Sequence, residues 1–372
     1  MNKCLYCDFY SSVRISLVPE YLTCLKKEIE MRACPSARIK TIYFGGGTPS
    51  LLGTDEIEQI LEILGTCFSI NPDAEICLEV NPGTIDASYM KQLRSAGVNR
   101  ISIGVQSFDD EKLRFLGRIH TAEQAADSVK QAMDSGFDSV SFDLIYALPS
   151  ETGEKWQKDL EKAVNTGVCH LSCYMLTMEP STAMGLKVKK GLLKPCSPET
   201  AQSMFRQTSL FLAGSGYEHY EISNFAMGRQ NRSWHNWSYW DMTPYAGFGP
   251  AAHSYDRGSR FWNSASLDAY IRNINAGILP SGGREKLDPE QKMLEAVMLG
   301  LRTCKGIGLE EFSERFGISF ISRFHDLVST ICEQSMGCVS RGRFFLSLEG
   351  MACLDGIVEA FAQEILQPLP LS

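Results

Sequence analysis

Over the first 225 residues, short β-branched runs alternate with stretches whose apolar residues recur every three or four positions. The runs Lys40–Phe44, Ile76–Val80, Arg100–Val105, Ser139–Tyr146 and His170–Leu176 predict strands, with a further one around Tyr217–Ile222. Between them, Pro19–Ala33 places Leu22, Leu25 and Ile29 at helical spacing, and Asp55–Phe68 does the same with Ile57, Ile60, Leu61 and Leu64. Thr121–Ser135 opens on TAEQ, a capping-box pattern. Repeated β-α units of this length predict a parallel sheet, open or closed into a barrel. After about residue 225 the pattern breaks: Ala226–Asn263 is rich in aromatics, Gly and Asn, and reads as irregular structure. Helical periodicity returns at Asp288–Thr303, Leu309–Phe316 and Phe320–Glu333, followed by a hairpin at Cys338–Leu346 and a last helix from Met351 to Leu366. The predicted organisation is an α/β core over 1–225, a connecting region over 226–287 and a helical, winged-helix-like domain over 288–372.

Charge removes one function such a module suggests. The chain carries 36 Lys+Arg and 44 Asp+Glu, and residues 288–372 carry 7 and 12, so a nucleic-acid partner is not expected. With 44% hydrophobic residues in 372, the chain buries a core without disulfide staples. No apolar run approaches the length of a membrane span, and MNKCLYCDFY lacks a secretory h-region. A cytoplasmic protein is expected, its scattered cysteines (Cys24, Cys67, Cys77, Cys169, Cys173, Cys304, Cys332, Cys353) being small buried hydrophobes. Only Cys4 and Cys7 have ligand-type spacing, which alone fits zinc or iron–sulfur ligation.

Candidate chemistry gathers at the strand ends. KTIYF runs into Gly45-Gly46-Gly47-Thr48, Glu79 closes ICLEV, Gln106 follows RISIGV, and Asp143 lies near the end of its strand. In a β/α barrel these carboxyl ends converge on one ligand-binding face. The three glycines let the backbone approach a ligand and present N–H groups, although a plain tight turn has the same composition. Neither GK[ST] nor GxGxxG is present, so nucleotide phosphates are not indicated.

Cys4-Leu5-Tyr6-Cys7-Asp8-Phe9 resembles the second half of the CxxxCxxC motif of radical S-adenosylmethionine (SAM) proteins. GGGTPS (45–50), EVNPGT (79–84), NRISIGVQSF (99–108), LGRIHT (116–121), FDLIYALP (142–149), HLSCYMLTMEP (170–180) and YEISNFA (220–226) follow in order, and EAVMLGLR (295–302) extends the match. Together they resemble the oxygen-independent coproporphyrinogen III oxidase-like family. Phe9, where the oxidases usually have a further cysteine, and His235-Asn236-Trp237-Ser238-Tyr239-Trp240, similar to an HNxxYW heme-associated motif, point to the family's HemW heme-chaperone branch. The resemblance implies a partial (β/α) barrel holding a [4Fe–4S] cluster through Cys4 and Cys7, and SAM through Gly46, Gly47, Thr48 and Glu79. Gln106, Arg118 and Asp143 match positions that bind a further SAM in the oxidases. It implies heme as cargo near His235, an electron donor and a heme-accepting protein; His253, whose surroundings read as a glycine-rich structural turn, is the rival ligand and ranks second. A membrane is met only if that recipient is membrane-bound.

The chain departs from the pattern in three places. CxxxCxxC puts its first cysteine one residue before Met1, and the family's first strand is missing too; a start assigned too late is the expectation, a trimmed chain or degenerate paralogue the alternatives. Ala147 and Ser150 stand where glycine is common. The rival functions are oxidative decarboxylation of coproporphyrinogen III and a cluster-free binding module.

Overall fold

The computed structural model describes residues 3–366; Met1, Asn2 and the last six residues of the predicted C-terminal domain lie outside the described residues. Strands β1 (Cys34–Phe44), β2 (Phe68–Val80), β3 (Arg100–Gln106), β4 (Ser139–Tyr146) and β5 (His170–Met175) pair in chain order, all parallel. The helix Val18–Met31 leads into β1, and the helices between the strands, including Thr54–Cys67, Ala122–Asp134 and Gly153–Asn165, return the chain to the start of each next strand. Two short strands, β6 (Glu218–Glu221) and β7 (Asn224–Ala226), add antiparallel to β5 in the order β5-β7-β6. The sheet stays open, because β1 and β6 are its two ends and do not pair. The strand expected at Tyr217–Ile222 is therefore present and antiparallel.

The period-2 alternation of each strand sorts its side chains between two environments. Leu78, Ile101, Ile103, Phe142, Leu144 and Leu171 bury against the helices, packed with Trp156 and Leu160. The alternate positions Cys77, Glu79, Ser102, Gly104, Gln106, Ser141, Asp143, His170 and Ser172 line a cavity of about 2900 Å³. A sheet with one apolar face and one polar, concave face is a partial barrel built to hold a polar ligand. β1 and β2 begin earlier than predicted, at Cys34 and Phe68, because Pro35, Ser36 and Arg38, and Asn71, Pro72 and Asp73, interrupt the apolar pattern that marks a strand.

The expectation of irregular structure over Ala226–Asn263 is corrected. Trp234–Trp240 is a helix, and β8 (His253–Tyr255), β9 (Ser259–Asn263) and β10 (Ser281–Lys286) form an antiparallel sheet, with the helix Leu267–Asn275 between β9 and β10. These elements are three to nine residues long, too short to display a period. Buried Glu28 fixes them to the core: it accepts hydrogen bonds from the Gly249 N–H (2.9 Å), Asn263 Nδ2 (2.7 Å) and the Tyr270 hydroxyl (2.7 Å).

The C-terminal helices Pro289–Leu301, Leu309–Phe316 and His325–Glu333 surround a three-stranded sheet of β11 (Ile307–Gly308), β12 (Gly337–Ser340) and β13 (Arg343–Leu346). Phe312, Phe320, Phe324, Phe344 and Phe361 fill its core. Phe320–Glu333 is not one helix, for it breaks at Phe324, whose fully buried ring joins that core. The final helical stretch likewise divides at Cys353, into Leu348–Ala352 and Leu354–Leu366. The domain docks on the barrel through Ile222 N–H to the Arg302 carbonyl (2.8 Å) and Cys304 N–H to the Tyr220 carbonyl (3.1 Å). Cys304 itself is exposed and Cys169, Cys332 and Cys353 are half-buried, so only Cys24, Cys67, Cys77 and Cys173 of the scattered set are core residues. Among the described residues no helix is long and apolar enough to cross a membrane.

Candidate functional site

All ten predicted site residues line the one cavity: Cys4, Cys7, Gly46, Gly47, Thr48, Glu79, Gln106, Arg118, Asp143 and His235. The cysteine loop closes on itself through Cys7 N–H to the Cys4 carbonyl (3.2 Å) and is pinned by Met184 N–H to the Leu5 carbonyl (3.1 Å). Gly117 makes its seat. At φ +76° the residue is in the left-handed region, and a Cβ there would lie 3.1 Å from Leu5 Cγ. The next residue, Arg118, donates from Nη1 to Cys4 Sγ (3.4 Å) and from Nη2 to the Gly104 carbonyl (2.9 Å) and to Asn81 Oδ1.

The glycine run divides its work. A Cβ on Gly45 would sit 2.5 Å from the Tyr43 ring and 2.9 Å from Glu79, so that position is closed by packing. Gly46 and Gly47 face open space, and the Gly46 N–H reaches Glu79 Oε2 (3.3 Å). Glu79 also accepts from the Tyr43 hydroxyl (2.7 Å). Its burial raises its pKa, and these two hydrogen bonds pull it back down. Asn81, which the sequence reading passed over, links Thr48 Oγ1 (3.5 Å) to Arg118. Its place two residues beyond Glu79, at a strand end, was the available signal.

Gln106 ends β3 at φ +67°, where the β3–β4 register slips. Ala147 and Ser150 have φ +62° and +61°. That is the physical reason glycine suits those two positions: a side chain there costs on the order of 1 kcal/mol of backbone strain.

Asp143 is pushed up to about 7 by burial and by the neighbouring Glu79, while Ser172, Arg118 and Ser102 pull the other way. A carboxyl whose pKa is raised in the fold holds its proton where the unfolded chain has lost it. Its stabilisation is complete below the ordinary value of 3.8 and is lost as pH rises to about 7. Asp143→Asn is therefore expected to shift the change in unfolding free energy from pH 5 to pH 8 towards greater stability at pH 8. Denaturant titrations at both pH values check this, and an unchanged difference would contradict it.

His235 lies against β1 on the same surface. Its ring stacks on Tyr43 (4.6 Å between centroids, 16°), Nδ1 pairs with the Thr41 hydroxyl (2.9 Å) and Nε2 with the Tyr239 hydroxyl (3.0 Å). Its backbone N–H, with that of Trp234, donates to Glu75, which holds the N-terminus of the 234–240 helix. Burial pushes the imidazole down to about 4, so it is neutral.

The motifs imply two groups, SAM and an iron–sulfur cluster. For SAM the donor set fits: two glycines open to the cavity, the Glu79 carboxylate for an ammonium, and an Arg118 Nε that is buried without a partner among the described residues. For a cluster it fits in part. Cys4 and Cys7 supply two thiols, and among the described residues no group of three Cys, His, Asp or Glu is placed to hold a metal ion.

A partial parallel barrel with a CxxC loop and a glycine cradle at its strand ends defines a radical SAM-type protein. Residues 1–163 match the radical SAM superfamily and residues 287–353 the HemN C-terminal domain. The chain is 32% identical to the heme chaperone HemW of Lactococcus lactis subsp. lactis (strain IL1403), over 96% of this chain and 93% of that protein. It is 31% identical to HemW of Bacillus subtilis (strain 168), over 97% and 96%. The coproporphyrinogen III oxidase HemN of Escherichia coli, a radical SAM enzyme, shares the fold with a TM-score of 0.83 at 23% identity, over 97% of this chain and 87% of that one. The chain belongs to the HemW family of the radical SAM superfamily. Membership of the superfamily implies a [4Fe–4S] cluster and SAM.

Proposed function

We propose that this chain is a heme chaperone of the HemW type, which binds SAM and a [4Fe–4S] cluster at the strand ends and carries heme for delivery to an acceptor protein. The observation that carries the reading is the convergence of Glu79, Arg118 and the Gly46–Thr48 cradle beside Cys4 and Cys7 in a chain similar to HemW over nearly its whole length. In this reading Gly46, Gly47 and Thr48 receive the methionyl end of SAM. Glu79 accepts from its ammonium, and Arg118, with Nε unpartnered, faces its carboxylate. Gln106 and Asp143 complete the polar wall. Cys4 and Cys7 are two of the cluster's ligands. When bound, the cluster supplies one-electron chemistry. The chain's own residues orient SAM, and Arg118 holds the Cys4 side chain in place. The division of labour follows the three regions, 1–225 for cofactors, 226–287 for heme and 288–372 as a docked structural module. A cytoplasmic location, an electron donor and a heme acceptor belong to the same reading.

The test is a titration of the purified chain with hemin, followed at the Soret band. Saturation near one hemin per chain is expected. A spectrum that adds up to free hemin plus protein would overturn the reading.

A further inference from the structure

Resting on the reading above, we infer that the imidazole that ligates heme iron is that of His253. A histidine ligates iron through a ring nitrogen whose lone pair is free and reachable. The chain has six histidines, and five are buried, doubly hydrogen-bonded or outside the cavity. His120 is buried with Nε2 on the Val105 carbonyl (3.1 Å), and His170 is buried with Nε2 on the Tyr220 hydroxyl (2.8 Å). His219 uses both nitrogens, on Ser209 and the Ile222 carbonyl. His325 pairs with Asp326 in the C-terminal domain, away from the cavity. His235, the histidine of the HNxxYW-like stretch, spends Nδ1 on Thr41 and Nε2 on Tyr239 while its ring lies against Tyr43. To ligate iron it would have to break a hydrogen bond and unstack, so it serves as the hub that holds the helix 234–240 to β1.

His253 differs on each count. Its side chain is exposed on β8, lines the same cavity, and makes no hydrogen bond among the described residues. Its ring is nonetheless held in place, stacked on Trp262 of β9 (5.6 Å, 24°). Trp262 in turn lies over Gly282 and Gly283, where a Cβ would come within 2.9 and 2.4 Å of the indole. Two adjacent glycines thus give the indole its bed, and the indole presents the imidazole. A ring nitrogen that is free, faces the cavity and is held in place by a stacked indole suits approach to the iron of a metalloporphyrin.

The experiment titrates hemin into the full chain and into His253→Ala and His235→Ala, reading the Soret maximum, the ferric spin state by electron paramagnetic resonance, and affinity. His253→Ala is expected to lose roughly tenfold or more in affinity, as when other metal-site partners are removed, and to change spin state. Millimolar imidazole should restore the wild-type spectrum, which a collapsed fold could not show. His235→Ala should keep the wild-type Soret position and spin state. Hemin bound with an unaltered spectrum in His253→Ala overturns the assignment and leaves the chaperone reading standing, as does a spectrum lost only in His235→Ala. Absence of hemin binding by the unaltered chain overturns both.

Discussion

Glu79→Gln is expected to weaken SAM binding about a hundredfold. The carboxylate is buried beneath Gly46, aligned by the Tyr43 hydroxyl at 2.7 Å and the Gly46 N–H at 3.3 Å, and it is placed to meet the ammonium of a methionyl group. Glutamine keeps the size and loses the charge. Breaking a buried, hydrogen-bonded charge pair costs about 2–5 kcal/mol, and each 1.4 kcal/mol is a factor of about ten. Because burial raises the Glu79 pKa, wild-type affinity should decline on acidification towards that of the variant. Calorimetric titration with SAM at pH 8 and pH 5.5 measures both effects. A variant within threefold of wild type at pH 8 would remove Glu79 from the site.

The second large effect is on stability. Lys112, only 6% exposed, donates to Asp159 Oδ2 (2.6 Å) and to Glu151. Asp159 also accepts from the Ser107 hydroxyl (2.7 Å) and the Phe108 N–H (2.8 Å), directly after Gln106. Glu151 accepts from the Leu148 N–H (2.9 Å), in the loop after β4. One ammonium therefore ties together two strand-end loops of the site. Lys112→Met would leave two buried carboxylates without their cation, and a loss of about 3–5 kcal/mol is expected. Urea unfolding of the two proteins gives the difference directly, and a loss below about 1 kcal/mol would show that the buried charges are accommodated otherwise.

The two cases mark what could be read from the chain. Glu79, Gln106 and Asp143 were legible because a polar residue ending an apolar strand has few reasons to be there, and the alternation of each strand told which way it points. The C-terminal hairpin was legible from its turn at Ser340–Arg343. Lys112 was not, since a lysine in a short polar helix looks solvated and its partners lie 39 and 47 residues away. Asn81 was hidden behind Glu79, and Tyr43 read as one more apolar strand residue. His235 stood out through its aromatic neighbours, yet only coordinates show that both its nitrogens are taken. The strands β8 to β10 are too short to show an alternation, and the anchor of this region, Glu28 on Gly249 and Asn263, lies far away in sequence.

Binding alone does not make a chaperone, which must also release its cargo. The most direct measurement loads the chain with hemin, mixes it with an apo-hemoprotein acceptor, and in parallel supplies the cluster-reconstituted protein with coproporphyrinogen III, SAM and a reductant. The account predicts transfer of hemin to the acceptor and no decarboxylated porphyrinogen. Turnover of coproporphyrinogen without hemin binding or transfer would contradict it.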